Sequence, residues 1–201
     1  MTLPAFFPES RPVVLEPYRP AWADEYQRLA ARLRAVAGTA LGRIDHIGST
    51  AVPGLSAKDV IDVQLTVTQL AEAGNLVAAL RRAGFQQGLA WQYDIFHPLP
   101  PDSPELRKLY LREPAGERRL HLHVREAGRF NARYALLCRD YLRAHAPARQ
   151  EYELLKQRAA HLFPASIEGY LFVKEPVFHL LYQAAELWAQ ATGWQLPAAH
   201  E

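Results

Sequence analysis

One cysteine and one methionine in 201 residues leave little sulfur to work with. The lone thiol, Cys138, excludes an intrachain disulfide and any zinc site built from several cysteines, and it suits a reducing compartment. No apolar run approaches the roughly 18 residues that crossing a bilayer demands. Met1 to Ser10 also lacks the basic start and apolar stretch of a secretory signal. The expectation is a cytoplasmic chain with no membrane contact. Neither charge sign dominates, since 23 Lys+Arg against 21 Asp+Glu give a formal net charge of +2. Charge alone therefore indicates neither nucleic acid nor an anionic surface as partner, but leaves room for a small anionic ligand. Several catalytic templates are missing too: the chain has no G-x-x-x-x-G-K-[ST] loop, G-x-S-x-G elbow, H-E-x-x-H helix, Rossmann glycine pattern or EF-hand.

What the chain does have is enough apolar material, 49% of residues, for a sizeable core. Pro20 opens an amphipathic segment with Trp22, Tyr26, Leu29, Leu33 and Val36 near the 3.6-residue period, ending at Gly38. Ile44 to Ile47 and the β-branched run Val60 to Val67 predict strands. Thr68 is the expected N-cap of a helix reaching about Ala83, with Gly84 as its stop. The prolines between 88 and 105 predict a surface loop. Leu106 to Glu113 and Arg118 to Arg125 predict a hairpin. From Gly128 the pattern is helical, over about 129–145, 148–162 and 166–192, with Pro176 expected to kink or split the last. The whole, 1–201, is one α+β domain: a core over about 13–127, a helical subdomain over 128–192 and a tail from 193 to 201.

Period-two geometry locates a candidate site. In the Val60 run, Ile61, Val63 and Leu65 share one face while Asp62 and Gln64 share the other. The second strand repeats this, with Leu120, Leu122 and Val124 opposite Arg119, His121, His123 and Arg125. Two polar strand faces predict one cleft. Just upstream, Gly48, Ser49 and Thr50 form a turn able to offer backbone donors and hydroxyls to an anion, and Lys58 adds a mobile positive charge. In the helical half, Arg133, Arg139, Asp140, Arg143, Lys156 and Lys174 form a charged set. Arg139 and Asp140, adjacent on one helix, are expected to pair elsewhere. Cys138 is read as a buried, inert position, and Tyr152 and Tyr170 as core residues with wet hydroxyls.

The run His46-Ile47-Gly48-Ser49-Thr50-Ala51-Val52-Pro53-Gly54-Leu55-Ser56-Ala57-Lys58-Asp59-Val60-Ile61-Asp62 resembles the GrpB family signature HIGST-x-VPGL-x-AKPIID. The likeness continues in Arg119 to Val124, in Cys138 to Arg143, in Tyr152 with Leu155-Lys156, and in Tyr170 with Lys174, covering about Val13 to Trp188. It implies a nucleotidyltransferase-like mixed or antiparallel sheet flanked by helices. Such folds set a Gly-Ser turn before a strand bearing an acidic pair, with a third acid on a neighbouring strand, to hold metal ions on a triphosphate. Here the turn is Gly48-Ser49 and the first acid is Asp62. The second position is Gln64, and the third falls to His121 or His123. Asp59 stands where the family has proline, and its charge beside Lys58 is expected to weaken phosphate affinity.

The expected function is binding, with nucleotidyl transfer as the reaction, of a nucleotide or related phosphorylated small molecule. Gly48, Ser49, Thr50, Lys58, Arg139 and Lys156 would contact phosphate. Asp62, His121 and His123 would be the catalytic and metal-binding set. The divalent ion is left open among Mg, Mn, Zn and Ni, since imidazole suits the transition metals better than magnesium. Two alternatives follow from the same residues: a ligand-sensing module without catalysis, favoured by Gln64, and a transition-metal phosphohydrolase.

Overall fold

The computed structural model describes residues 7–38 and 41–196. Most of the predicted signal-free start, residues 1–6, and the end of the predicted tail, residues 197–201, lie outside them. Among the described residues, five strands and five α-helices follow in the order α1 (Ala21–Ala37), β1 (Arg43–Ile47), β2 (Ile61–Val67), α2 (Gly74–Arg82), β3 (Gln86–Gly88), β4 (Lys108–Arg112), β5 (Leu120–Glu126), α3 (Phe130–Ala144), α4 (Ala146–Leu162) and α5 (Ile167–Thr192). The strands form one mixed sheet in the order β1-β2-β5-β4-β3. Only the β2–β5 pair is parallel, and its register sets Asp62 beside His121 and Gln64 beside His123. The α+β architecture with a helical C-terminal half is the one expected.

Alternation gives the sheet two different faces. One carries Ile44, Ile61, Val63, Leu65, Leu111, Leu120, Leu122 and Val124, packed under Trp22, Ala30 and Leu33 of α1 and Leu76 and Leu80 of α2. This is the main core. The other face carries Asp45, Asp62, Gln64, His121, His123 and Arg125, with Lys108, Tyr110 and Arg112 from β4 in register. Over it lie the helices of the C-terminal half. Val52 and Leu55, between β1 and β2, pack into a second cluster with Leu142 of α3, Tyr152 of α4 and Val177, Phe178 and Leu181 of α5.

Two local expectations are corrected. Thr68 does not cap α2: residues Leu70–Glu72 form a 3-10 turn, and the Leu70 N–H donates to the Glu126 carboxylate at 3.0 Å, so the helix starts only at Gly74. A tertiary acceptor has displaced the local one. Pro176 does not split α5, which runs unbroken from Ile167 to Thr192. Side chains on both sides of the proline, Tyr170 and Val173 before it and Val177 and Phe178 after it, are packed into separate apolar clusters that hold both halves in line. Pro147 opens α4 from within its first turn, where its missing N–H has no helical acceptor to lose.

Candidate functional site

A cavity of about 1220 Å³ lies between the polar sheet face and the helical half, and every residue predicted for the site contributes to its wall. At its floor, His121 Nδ1 is 3.1 Å and His123 Nε2 is 3.7 Å from the same oxygen, Asp62 Oδ1. One ligand atom from each of the three lies within 4.8 Å of the others. Burial, the largest single influence on Asp62, favours its neutral acid, but hydrogen bonds from His121 and His123 outweigh it and hold the carboxyl well below its ordinary range. Burial also lowers His123 to about 4, so at neutral pH this imidazole keeps its lone pair. An anionic carboxylate facing a neutral imidazole is a donor arrangement that suits a divalent transition ion.

Gly48 is fixed by this carboxylate. It has φ +71, and a Cβ built there would stand 2.5 Å from Asp62 Oδ2. The glycine therefore lets the turn after β1 cross directly over the acid on β2. The helices hold that turn by its flanks. Arg139 Nη1 donates to the His46 carbonyl at 3.0 Å, Arg143 Nε to the Ala51 carbonyl at 2.8 Å, and Lys156 Nζ to the Ser56 carbonyl. Ser49 shares a hydrogen bond with Tyr152, so the hydroxyl of this tyrosine is tied to the turn rather than left to solvent.

Part of the cavity wall is cationic. Lys58 and Lys156 line it with Lys174 of α5, and none of the three forms an ion pair with a carboxylate among the described residues. Their ammonium groups lie instead near aromatic rings: Lys58 is 5.3 Å from the Tyr170 centroid, Lys156 5.5 Å and Lys174 5.9 Å from that of Tyr152. Burial, then the charge of Lys174, lowers Lys58 to about 8 and Lys156 to about 7. Cations crowded together without carboxylate partners give this part of the wall a positive potential.

Several expectations change on this geometry. Arg139 is buried and its guanidinium is committed to the His46 carbonyl and, at 2.7 Å, to Asp140, so it positions the turn rather than reaching the cavity with a free donor. The adjacent pair does meet, because the long arginine side chain folds back along its own helix. Thr50 turns its hydroxyl inward to His46 Nε2 at 3.0 Å and to the Val60 carbonyl, leaving Ser49 as the turn's hydroxyl on the cavity side. Asp59 is taken up by Trp22, Arg118 and Arg19. Its charge is thereby met away from Lys58. Gln64 is fully buried, accepting from Arg125 Nη1 at 2.6 Å and donating to the Ala132 carbonyl at 3.0 Å, so neither end is open to a metal. Cys138 is buried, and burial raises its thiol far above the ordinary range.

One residue escaped the sequence reading. Asp94, from the irregular stretch between β3 and β4, enters the polar face and binds Arg125 Nε at 2.9 Å, Asn131 Nδ2 at 3.1 Å and Lys108 Nζ. An acid set among Trp91, Tyr93 and Phe96 was the available signal, but no periodicity pointed to it.

Comparison with known proteins places this geometry in a lineage. A protein named dephospho-CoA kinase from Mycolicibacterium paratuberculosis is 37% identical over 198 residues, covering 92% of this chain but 48% of its own length. The chain thus spans about half the length of that relative. The crystal structure of conserved protein GrpB from Enterococcus faecalis has 25% identity and a TM-score of 0.71, covering 87% of this chain and 99% of the other. The Cid1 poly(U) polymerase is a weaker likeness, with 12% identity, a TM-score of 0.48, and coverage of 78% of this chain and 49% of the other. No helix among the described residues is long and apolar enough to cross a membrane. A family model described as GrpB protein matches residues 12–184, and this chain belongs to that family.

Proposed function

We propose that the chain binds a nucleotide or related phosphorylated small molecule in this cavity and, with the help of a divalent ion held by Asp62, His121 and His123, transfers its nucleotidyl group to an acceptor hydroxyl, the P–O bond to the departing phosphate or pyrophosphate breaking as the new one forms. One observation carries the reading: a convergent Asp-His-His set lines the same cavity as three lysines that have no carboxylate partner among the described residues. Lys58, Lys156 and Lys174 would take the phosphate oxygens, with Ser49 and the backbone of the Gly48 turn as further donors. When bound, the ion would polarise a phosphoryl oxygen and neutralise its charge. Asp62 would orient both imidazoles toward that ion, while Arg139 and Arg143 keep the turn in place. One carboxylate and two imidazoles fit manganese, zinc or nickel better than magnesium. The kinase name borne by longer relatives is not carried over, since this chain has no G-x-x-x-x-G-K-[ST] loop.

A second reading, a ligand sensor without catalysis, is favoured by Gln64, because both ends of its amide are engaged and the second acidic position is thereby lost. A screen of nucleotides with magnesium, manganese, zinc or nickel, following both nucleotidyl transfer and phosphate release, separates the two. Transfer supported by a transition metal and abolished by His121→Ala and His123→Ala is expected. Phosphate release alone would mark a phosphohydrolase. A nucleotide-dependent rise in melting temperature without turnover would make the sensor the better account.

A further inference from the structure

Another group of donors adjoins the cavity, whose lining includes Glu175 and His179. His97 lies in the stretch between β3 and β4, and Glu175 and His179 lie one turn apart on α5, so both helical residues project from the same face. One ligand atom from each of the three falls within 4.8 Å of the others. His97 Nε2 is 2.8 Å from Glu175 Oε1, and the two imidazole rings stand nearly perpendicular, 86° apart, with centroids separated by 4.6 Å.

His179 supplies the decisive detail. The residue is buried, with 7% exposure. Its Nε2 is 3.1 Å from the Ile95 carbonyl. A carbonyl only accepts, so the proton of the neutral ring sits on Nε2 and the lone pair on Nδ1. That Nδ1 is buried and has no hydrogen-bond partner. Metal-ligating histidines commonly show this arrangement, with one nitrogen donating to a backbone carbonyl and the other presented to the ion.

We propose that His97, Glu175 and His179 form a second site, separate from the Asp62 group, for a divalent transition-metal ion of the zinc class. Two imidazoles and one carboxylate are borderline donors that zinc accepts at about 2.0–2.2 Å, which brings tetrahedral ligand pairs to about 3.4 Å. The present spacing needs only a modest contraction. His97, with a side chain 55% exposed, is the member free to make it. Phe96, packed among Phe130, Tyr134, His179 and Tyr182, already docks this stretch on α3 and α5. The ion would tie the stretch carrying Asp94 to α5 and so fix one wall of the cavity.

The test uses the full, tag-free chain stripped with chelator and titrated with zinc against a chromophoric competitor, with cobalt absorption as a second readout. Wild type is compared with His97→Ala, His179→Gln and His121→Ala. His97→Ala removes an exposed ring, so its fold should survive, and its zinc-free melting temperature checks this. Expected is the loss of the zinc equivalent of this site, or a fall in its affinity of at least tenfold, in His97→Ala and His179→Gln, whereas His121→Ala keeps this equivalent and loses only one held by the Asp62 group. Zinc should also raise the melting temperature of wild type more than that of His97→Ala. Unchanged stoichiometry and affinity in a folded His97→Ala protein would overturn the assignment, as would a wild-type chain that binds no zinc. Loss in His121→Ala alone would assign the ion to the Asp62 group and likewise overturn this site.

Discussion

Lys58 and Lys156 are held at about 8 and about 7, mainly by burial and then by Lys174, while an unperturbed lysine titrates near 10.5. Both therefore lose charge as pH rises through 7 to 8, and affinity for inorganic phosphate or a nucleotide should fall between about pH 6 and 9. Stability runs the other way. Between about pH 7 and 10.5 the unfolded chain binds more protons than the folded one, so the unfolding free energy contributed by these lysines rises with pH. Lys58→Ala should weaken nucleotide binding by about 1–3 kcal/mol, the scale of a charged hydrogen bond, with little change in melting temperature. Lys58→Arg should keep affinity and flatten its pH profile, since a guanidinium stays charged. Calorimetric titrations at several pH values measure all three. A profile unchanged in both variants would remove Lys58 from the site. Gly48 makes an independent case: Gly48→Ala forces φ +71 on an alanine and drives its Cβ into Asp62. Stability should drop by about 1–3 kcal/mol from backbone strain alone, read by denaturant unfolding. Metal affinity should drop with it.

At the scale of elements, the site was legible where its residues sit on regular structure. Alternation along β2 and β5 placed Asp62, His121 and His123 on one face, and the parallel register brings them together. It also placed Gln64 there, but could not show that α3 would cover it. The amide is then matched at both ends, to Arg125 and to the Ala132 carbonyl. Restoring an acid by Gln64→Glu should therefore not create a magnesium site. The carboxylate would keep Arg125 but face the Ala132 carbonyl without a donor, costing about 1–3 kcal/mol. Denaturant unfolding and a magnesium titration check the pair of claims, and a gain in magnesium affinity would refute them. Thr68 and Pro176 misled for a related reason, because local capping and proline rules lost to Glu126 and to packing on both sides of α5. Asp94 was illegible because an irregular loop has no period to read.

For the whole molecule, the composition shift near residue 127 marks where sheet gives way to helices, but hydrogen bonds cross that line where the site is built. Arg139, Arg143 and Lys156 from the helical half grip the carbonyls of His46, Ala51 and Ser56. Gln64 and Arg125, both buried, would meet solvent without α3 and its neighbours. The two halves should therefore unfold in one transition, with near-ultraviolet and far-ultraviolet dichroism coincident across a urea titration. A fragment ending at Ala127 should lack that cooperativity, because its polar sheet face would lose both its cover and its hydrogen-bond partners. Because the ligand would sit at the seam and bind only the folded chain, a nucleotide at 100 times its Kd should add about 2.7 kcal/mol to the single transition. Its midpoint should move without a change in slope, since the surface exposed on unfolding is nearly unchanged. Two resolved transitions, with only the helical one moved by nucleotide, would show that the halves are independent and that the anion site belongs to the helices alone.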